Sequence, residues 1–401
     1  KAVLAFSLIL IPTLFMGATL PVMCKYFATE EANLGQQVGY LYSINTLGAA
    51  AGCLFAGYFL IGFFGVLETR NSVDHIGQSF ELSEVRKSFY SLFPGNWNVP
   101  IADLGNIKKG ETTSDTHFAI TEVIKSLLKM NIIPIIIGGG QDITFSNYKA
   151  YDQLEQTVNL VVVDSKFDLG NLEDKLSSKS YLSKIIMEVP TNLFNFSNIG
   201  YQTYLNPQEE IKLIQGLNFD TYRLAEAKEL EILEPVLRDA DIVSIDIGSV
   251  RQSDAPANKN VSPNGFYGDE ICGIARYAGI SDKVSSFGIY EYNSEFDNHN
   301  MTAHLIAQMI WCFIEGFNSR VKDYPFATKE DYQKFTVMLE NDDPINFYKS
   351  NKTGRWWMEI NLIQHNKYKR RALIPCTYQD YIETTNQMIP DRWFKAQSKM
   401  I

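Results

Sequence analysis

The sequence is poor in the side chains that bind soft metals and nucleic acids. It has only five cysteines and five histidines in 401 residues, and its net charge is −10. The cysteines form no CxxC pair and no Cys/His zinc spacing, which favours a reducing compartment with free thiols. Phosphate binding needs a basic face, and the only short basic run lies at residues 367–371, so nucleic acid is excluded as the main partner.

Charge is also missing from two long stretches near the start of the chain. Residues 2–23 and 38–67 contain no charged side chain, and each stretch is long enough to cross a bilayer as a helix. With the polar linker at residues 24–37 they predict a hydrophobic helical hairpin over residues 1–66. Two buried core helices are the alternative. A cleaved signal peptide fits less well because there is no basic n-region and the apolar length is doubled.

The stretches at residues 11–21 and 39–53 resemble the membrane portion of spermidine-synthase-like multi-span proteins. The resemblance covers two spans, and no aminopropyltransferase domain follows them. We therefore expect residues 1–66 to be a transmembrane or foreign segment joined to an unrelated body. If the segment is native, it would anchor a cytoplasmic domain to the inner membrane.

After residue 70 the pattern changes to alternating helices and strands. Solid apolar runs predict buried strands at residues 132–137 and 160–163, and further strands are predicted at residues 242–245 and 284–290. Amphipathic spacing predicts helices at residues 118–130, 224–237, 269–277 and 302–317. The alternation predicts a three-layer α/β/α domain with a mainly parallel sheet over residues 67–320. An aromatic-rich extension follows at residues 321–401.

Polar clusters follow three of the predicted strands, and ligands bind at the carboxyl ends of strands in such sheets. The clusters are Gln141 after three glycines, Asp164 with Lys166 and Asp168, and Ser244 with Asp246 and Gly248. Taken singly, the first is typical of a strand-to-helix turn and the second of a salt-bridged loop. Together they predict one site.

These clusters, with Glu291 in the run Gly-Ile-Tyr-Glu-Tyr-Asn, resemble the arginase-type ureohydrolases and their formimidoylglutamase branch. The resemblance implies hydrolysis of guanidino or formimino groups by water bridging two Mn²⁺ ions. It also implies that Glu291 faces the substrate. Of the six metal ligands that the family uses, this chain retains Asp164, Asp168 and Asp246. The other three positions are occupied by Gln141, Lys166 and Gly248.

The lost ligands predict a degenerate metal site. We expect a protonated Lys166 to fill the vacated metal position and bond to the aspartates, leaving no cofactor or at most one divalent ion. The leading hypothesis is a non-hydrolytic pseudoenzyme that acts as a binding or scaffold protein. One alternative is a formimidoylglutamase- or arginase-like hydrolase of linear amidines with an atypical metal site. Another is a membrane-anchored protein whose function lies in the N-terminal helices.

Aromatic residues cluster towards the C-terminus. Trp and Tyr dominate protein–protein hot spots, so this region predicts either a surface for another protein or an extension packed on the domain. The residues are Trp356, Trp357, Tyr378, Tyr381, Trp393 and Phe394. Within the helix predicted at residues 302–317, the apolar neighbours of Cys312 predict a core position for it.

Overall fold

The computed structural model describes residues 66–69, 82–152, 154, 156–171, 173–323, 331–340, 344–361 and 371–399. The chain divides into two compact units, and the unit made of Val66–Val99 and Leu104–Ile401 contains every feature discussed below. No helix in the described ranges is long and apolar enough to cross a membrane. The two predicted spans lie outside those ranges, except for Val66 and Leu67, which belong to a strand.

The described residues form one eight-stranded sheet, and every pair of neighbouring strands in it is parallel. Its strands are β1 Val66–Thr69, β2 Gly105–Ile107, β3 Ile135–Ile137, β4 Val158–Val163, β5 Leu193–Tyr201, β6 Asp220–Arg223, β7 Ile242–Asp246 and β8 Ser286–Tyr290. The order across the sheet is β2-β1-β3-β8-β7-β4-β5-β6. The carboxyl ends of all these strands therefore lie at the same edge.

The helices that connect these strands complete a three-layer α/β/α arrangement, as predicted. They are α1 Ser83–Ser91, α2 Thr113–Lys129, α3 Ile143–Lys149, α4 Tyr181–Ile186, α5 Gln208–Gly216, α6 Leu224–Ala227, α7 Leu230–Arg238, α8 Gly268–Ile280 and α9 Met301–Asn318.

The local sequence determines where helix α2 begins and which of its faces is buried. Thr112 and Asp115 form a capping box at its start, with each side chain accepting a hydrogen bond from the other residue's backbone N–H. Ile120, Ile124 and Leu127 follow at helical spacing and are buried, so one face packs on the sheet.

Two parts of this fold differ from the prediction. Residues 224–237 were expected to be one helix, but α6 and α7 are separate, with a break at Lys228 and Glu229. Strands β2, β5 and β6 were not predicted. Polar side chains such as Asn195, Ser197 and Asn198 interrupt the apolar pattern of β5. Asn198 is completely buried, and its Nδ2 donates to the distant Lys166 carbonyl, a contact that hydropathy does not predict.

The C-terminal residues form a second, antiparallel sheet in the order β12-β11-β10-β9. Its elements are β9 Tyr332–Met338, β10 Pro344–Ser350, β11 Trp356–Asn361 and β12 Arg371–Cys376, followed by α10 Tyr378–Thr385 and α11 Asp391–Ser398. Arg238 of α7 joins this sheet to the parallel one. Its Nη2 donates to the carbonyls of Trp356 (3.0 Å) and Cys376 (3.2 Å), and its guanidinium lies 4.4 Å from the Trp357 ring centroid.

The C-terminal aromatic residues divide into two groups. Trp356 and Trp357 are buried, and the Trp393 indole N–H donates to the Glu359 carbonyl (3.1 Å). Tyr378 and Phe394 are exposed. The tryptophans therefore contribute to the packing of this sheet, and a partner surface in this region stays a prediction.

Candidate metal centre

Strand order brings distant parts of the chain to one edge of the parallel sheet. Strand β4 is hydrogen-bonded to β7, with Val163 opposite Ile245, so Asp164 and Asp246 emerge side by side. Strand β8 lies between β7 and β3. The Gln141 backbone N–H after β3 donates to Glu291 Oε1 after β8 (2.9 Å). The polar clusters of the sequence thus converge on one site.

Three carboxylates form the centre of this site, and we call Asp164, Asp168 and Asp246 the carboxylate triad. One oxygen from each lies within 4.8 Å of the other two. Asp164 is buried, and its Oδ1 accepts a hydrogen bond from the Lys166 backbone N–H (3.0 Å). Its Oδ2 is buried with no hydrogen-bond donor among the described residues. This oxygen requires a proton or a cation.

The pKa values of the three carboxyl groups also indicate that the triad needs a proton or a cation. Burial raises the pKa of Asp164 well above its usual range, and the charges of Asp168 and Asp246 raise it further. Burial also raises the pKa of Asp168 to about 6 and that of Asp246 to about 7. The Gly248 backbone N–H, which donates to Asp246 Oδ1 (2.6 Å), partly opposes the shift at Asp246. A bound cation would relieve the cost of ionising all three.

Lys166 does not neutralise the triad in the way that the sequence suggested. Its ammonium makes no ion pair with a described carboxylate, and only its backbone N–H contacts Asp164. Its side chain is partly exposed, and its charge acts from a distance to lower the pKa of Asp168 and Asp246. The predicted bonds from the Lys166 ammonium to the aspartates are not formed. Residues 164–168 lie beyond the end of β4, with a bend at Ser165 and Lys166, so the alternation of a strand does not set the direction of the Lys166 side chain.

Gln141 places a buried amide at the edge of the site. The side chain is completely buried, and its Nε2 lies 3.4 Å from Ser244 Oγ, to which it donates. Its Oε1 accepts no hydrogen bond from any described residue. Beside it, His117 Nε2 lies 3.1 Å from Asp142 Oδ2. His117 therefore lies outside the triad, against Asp142.

At Gly248 there is little room for a side chain. A Cβ added there would lie 3.0 Å from Asn258 Nδ2 and 3.1 Å from Asp246 Oδ1. Asn258 is buried, and its Nδ2 also donates to Asp246 Oδ1 (3.5 Å). Sequence reasoning overlooked Asn258, which lies ten residues after Gly248 and outside the third cluster. The Asn258 amide and the Gly248 backbone N–H both contact Asp246 Oδ1.

The donor set of the triad fits a divalent cation. The triad offers three hard oxygen donors and an unpaired buried oxygen, which suits Mg²⁺ or Mn²⁺. The triad is also the only group of three potential metal-ligating side chains found in the described ranges.

Glu291 completes the edge of the site. It adopts a φ of 65°, and its backbone N–H donates to the Gly139 carbonyl (2.8 Å). Burial raises its pKa well above the usual range, and the charges of Asp246, Asp142 and Asp168 add to this. The position is therefore suited to a cationic ligand.

The fold and the site define an α/β protein with a cluster of three carboxylates at the carboxyl edge of a parallel sheet. The model of the arginase family matches residues 67–315, and the chain belongs to this family. The formimidoylglutamase of Bacillus subtilis (strain 168) is 26% identical over 273 residues, which are 63% of this chain and 85% of the relative. That of Halalkalibacterium halodurans is 24% identical over 275 residues, 64% of this chain and 86% of the relative.

Solved structures agree on the fold. The crystal structure of the Bacillus subtilis formimidoylglutamase has a TM-score of 0.57 and 21% identity, covering 64% of this chain and 87% of that one. A Trypanosoma cruzi formiminoglutamase solved with Mn²⁺ has a TM-score of 0.58 and 18% identity, covering 64% and 94%. The predicted ureohydrolase resemblance is confirmed. Residues 1–66 lie outside the family match, and their resemblance to a membrane protein stays a prediction.

Proposed function

We propose that this chain binds one divalent cation at the carboxylate triad and hydrolyses a C–N bond of a linear amidine there. The observation that carries the proposal is the cluster of three carboxylates around the unpaired Oδ2 of Asp164. The similarity to formimidoylglutamases supports the reaction class. It also supports a formimino or guanidino group as the reacting part of the substrate.

The triad would hold the cation through three carboxylates, and the charge of the cation would keep all three ionised at neutral pH. A bound divalent cation supplies Lewis acidity that lowers the pKa of a coordinated water. The Asn258 side-chain amide and the Gly248 backbone N–H both donate hydrogen bonds to Asp246 Oδ1, so they orient this carboxylate.

Glu291 is the residue that would receive the substrate. Gln141 N–H holds one carboxylate oxygen, Oε1, in place, and Oε2 accepts no hydrogen bond from a described residue. An amidinium carries N–H donors and a positive charge, so it would pair with Glu291 and keep the carboxylate ionised despite its raised pKa. Glu291 thus selects a cationic, planar group.

A second candidate is a protein of the same fold that binds such a ligand without hydrolysing it. The residues Gln141, Lys166 and Gly248 support this candidate, because the triad contains three carboxylates and no histidine. In this case Glu291 and the triad would still recognise a cationic ligand. The two candidates differ in turnover and not in the binding site.

The deciding experiment uses the full chain, stripped of metal by a chelator and then supplied with Mn²⁺ or Mg²⁺. Bound metal is counted, and formamide or urea release from N-formimino-L-glutamate and guanidino substrates is measured. We expect about one ion per chain and product release that Asp164→Asn abolishes. Asp391→Asn, a change in an exposed carboxylate (78% exposed), is the matched control.

Metal binding without release from any amidine would favour the second candidate. Neither metal nor ligand binding would overturn both candidates. Two ions per chain would overturn the assignment of a single site.

A further inference from the structure

Two cysteines lie on neighbouring helices, whereas the residues of the carboxylate triad follow strands of the sheet. Cys272 belongs to α8 and Cys312 to α9, and both are free thiols with partly exposed side chains. Both line an open cavity of about 620 Å³, with Phe93, Arg276 and Trp311 among the other walls. The sequence predicted Cys312 to be core. The structure corrects this, because one side of the helix faces the cavity.

Close packing of α8 and α9 brings the two thiols together. A Cβ on Gly279 would collide with the Phe313 carbonyl, and one on Gly316 would collide with the Arg276 carbonyl. The two backbones therefore meet where only glycine fits. Cys272 lies about two turns before this contact on α8, and Cys272 and Cys312 border the same cavity. The two thiols are close enough for each to shift the pKa of the other.

The contact makes the two thiols chemically unequal. A hydrogen bond with Cys272 lowers the pKa of Cys312, and Arg276 contributes in the same direction against burial and Glu315. The same hydrogen bond and burial raise the pKa of Cys272. The thiolate is the nucleophile in thiol chemistry, so Cys312 should react first and Cys272 second.

Cys376 provides a comparison, because it is a buried thiol that we expect to be unreactive. It is 2% exposed in β12, and burial raises its pKa. It borders neither the cavity nor another described cysteine. The partial exposure and mutual contact of Cys272 and Cys312 are therefore not general properties of the cysteines here.

We propose that Cys312 and Cys272 form a redox-active dithiol that exchanges with low-molecular-weight disulfides of the glutathione type. The Cys312 thiolate attacks the disulfide, forms a mixed disulfide and releases one thiolate. Cys272 then loses its proton and attacks the Cys312 sulfur, which releases the second thiol and closes a Cys272–Cys312 disulfide. The protein loses two thiol hydrogens, and the small disulfide is reduced to two thiols.

The test begins with the full chain, fully reduced and then freed of reductant. It is incubated with glutathione disulfide, quenched with an alkylating reagent and digested without reduction for mass spectrometry. We expect a cross-linked peptide pair containing Cys272 and Cys312, with no lasting adduct on either. Cys272→Ser should instead accumulate glutathione on Cys312. Cys312→Ser should slow the reaction at Cys272 by about tenfold or more.

Cys376→Ser is the control and should behave as the unmodified protein does. A second measurement needs no variant: at neutral pH, alkylation of Cys312 in the folded protein should be about tenfold faster than that of Cys272. Equal alkylation rates would overturn the proposal. A glutathione adduct that persists on Cys312 while Cys272 is intact would overturn it too, as would a pair linked only after denaturation.

Discussion

Replacing Asp164 with asparagine should have opposite effects on stability with and without a divalent cation. The triad oxygens lie within 4.8 Å of one another. At an effective dielectric constant of about 20, two unit charges at that distance repel by about 3.5 kcal/mol. An amide at position 164 removes two such repulsions. The raised pKa of Asp164 lets protonation relieve part of them in the unmodified protein.

Without a cation at about pH 8, we therefore expect the variant to gain between zero and about 3 kcal/mol in free energy of unfolding. With Mn²⁺ or Mg²⁺ at about 100 times the dissociation constant, the unmodified protein should gain about 2.7 kcal/mol. The variant should gain much less, because one of three ligands and one negative charge are lost. Urea unfolding of both proteins in matched buffers measures these differences, with Asp391→Asn as the control.

A different result would follow if the Lys166 ammonium held Asp164 in a buried ion pair. Asp164→Asn would then cost roughly 3–5 kcal/mol in the absence of a cation, and added cation would stabilise neither protein. That outcome would refute the reasoning from the carboxylate triad and restore the ion network suggested by the sequence.

Three further predictions concern other positions. Burial raises the pKa of Asp241 from 3.8 to about 6, so its ionisation should make stability fall as pH rises from about 4 through 6. Asp241→Asn should remove this fall and stabilise the protein at pH 7 by up to about 3 kcal/mol in urea unfolding. Arg238→Ala should cost about 2–4 kcal/mol and expose the C-terminal sheet to proteolysis, whereas Lys87→Ala, at an exposed ion pair, should cost less than about 1 kcal/mol. Gly248→Asp should lower stability by about 1–3 kcal/mol in thermal unfolding, and Asn258→Ala in the same chain should recover part of it if crowding is the cause.

The sequence predicted those parts of the fold that hydropathy controls. Strands β4 and β7 are largely apolar and buried in the sheet, and both were recognised within two residues of their bounds. The antiparallel C-terminal sheet was not predicted. Its strand β9 has no buried residue and includes two adjacent exposed side chains, Gln333 and Lys334, so its pairing with β10 leaves no clear apolar pattern in the sequence.

The sequence predicted which residues lie near the site, but not the directions in which their side chains point. Motif spacing placed Asp164 and Lys166 after a strand, yet it could not show that the chain bends there. Two asparagines, about 30 and 40 residues further along the chain, stabilise the bend. Asn198 Nδ2 donates to the Lys166 carbonyl (2.9 Å). Asn206 accepts from the Phe167 backbone N–H (2.9 Å) and donates to the Ser165 carbonyl (2.9 Å). Hydrogen bonds across such separations leave no local pattern.

The position of β8 in the middle of the sheet has a consequence for synthesis of the protein. β8 joins β3 to β7, and its pairing partner Ile136 in β3 precedes Gly288 by roughly 150 residues. At about 5–20 residues per second, the ribosome needs about 10–30 s to make that interval. During this time β4 and β5 can pair locally, but the facing edges of β3 and β7 have no partner in the sheet. Glu291 is also synthesised last among the site residues. A nascent chain therefore contains the three carboxylates before it contains the group that would select their ligand.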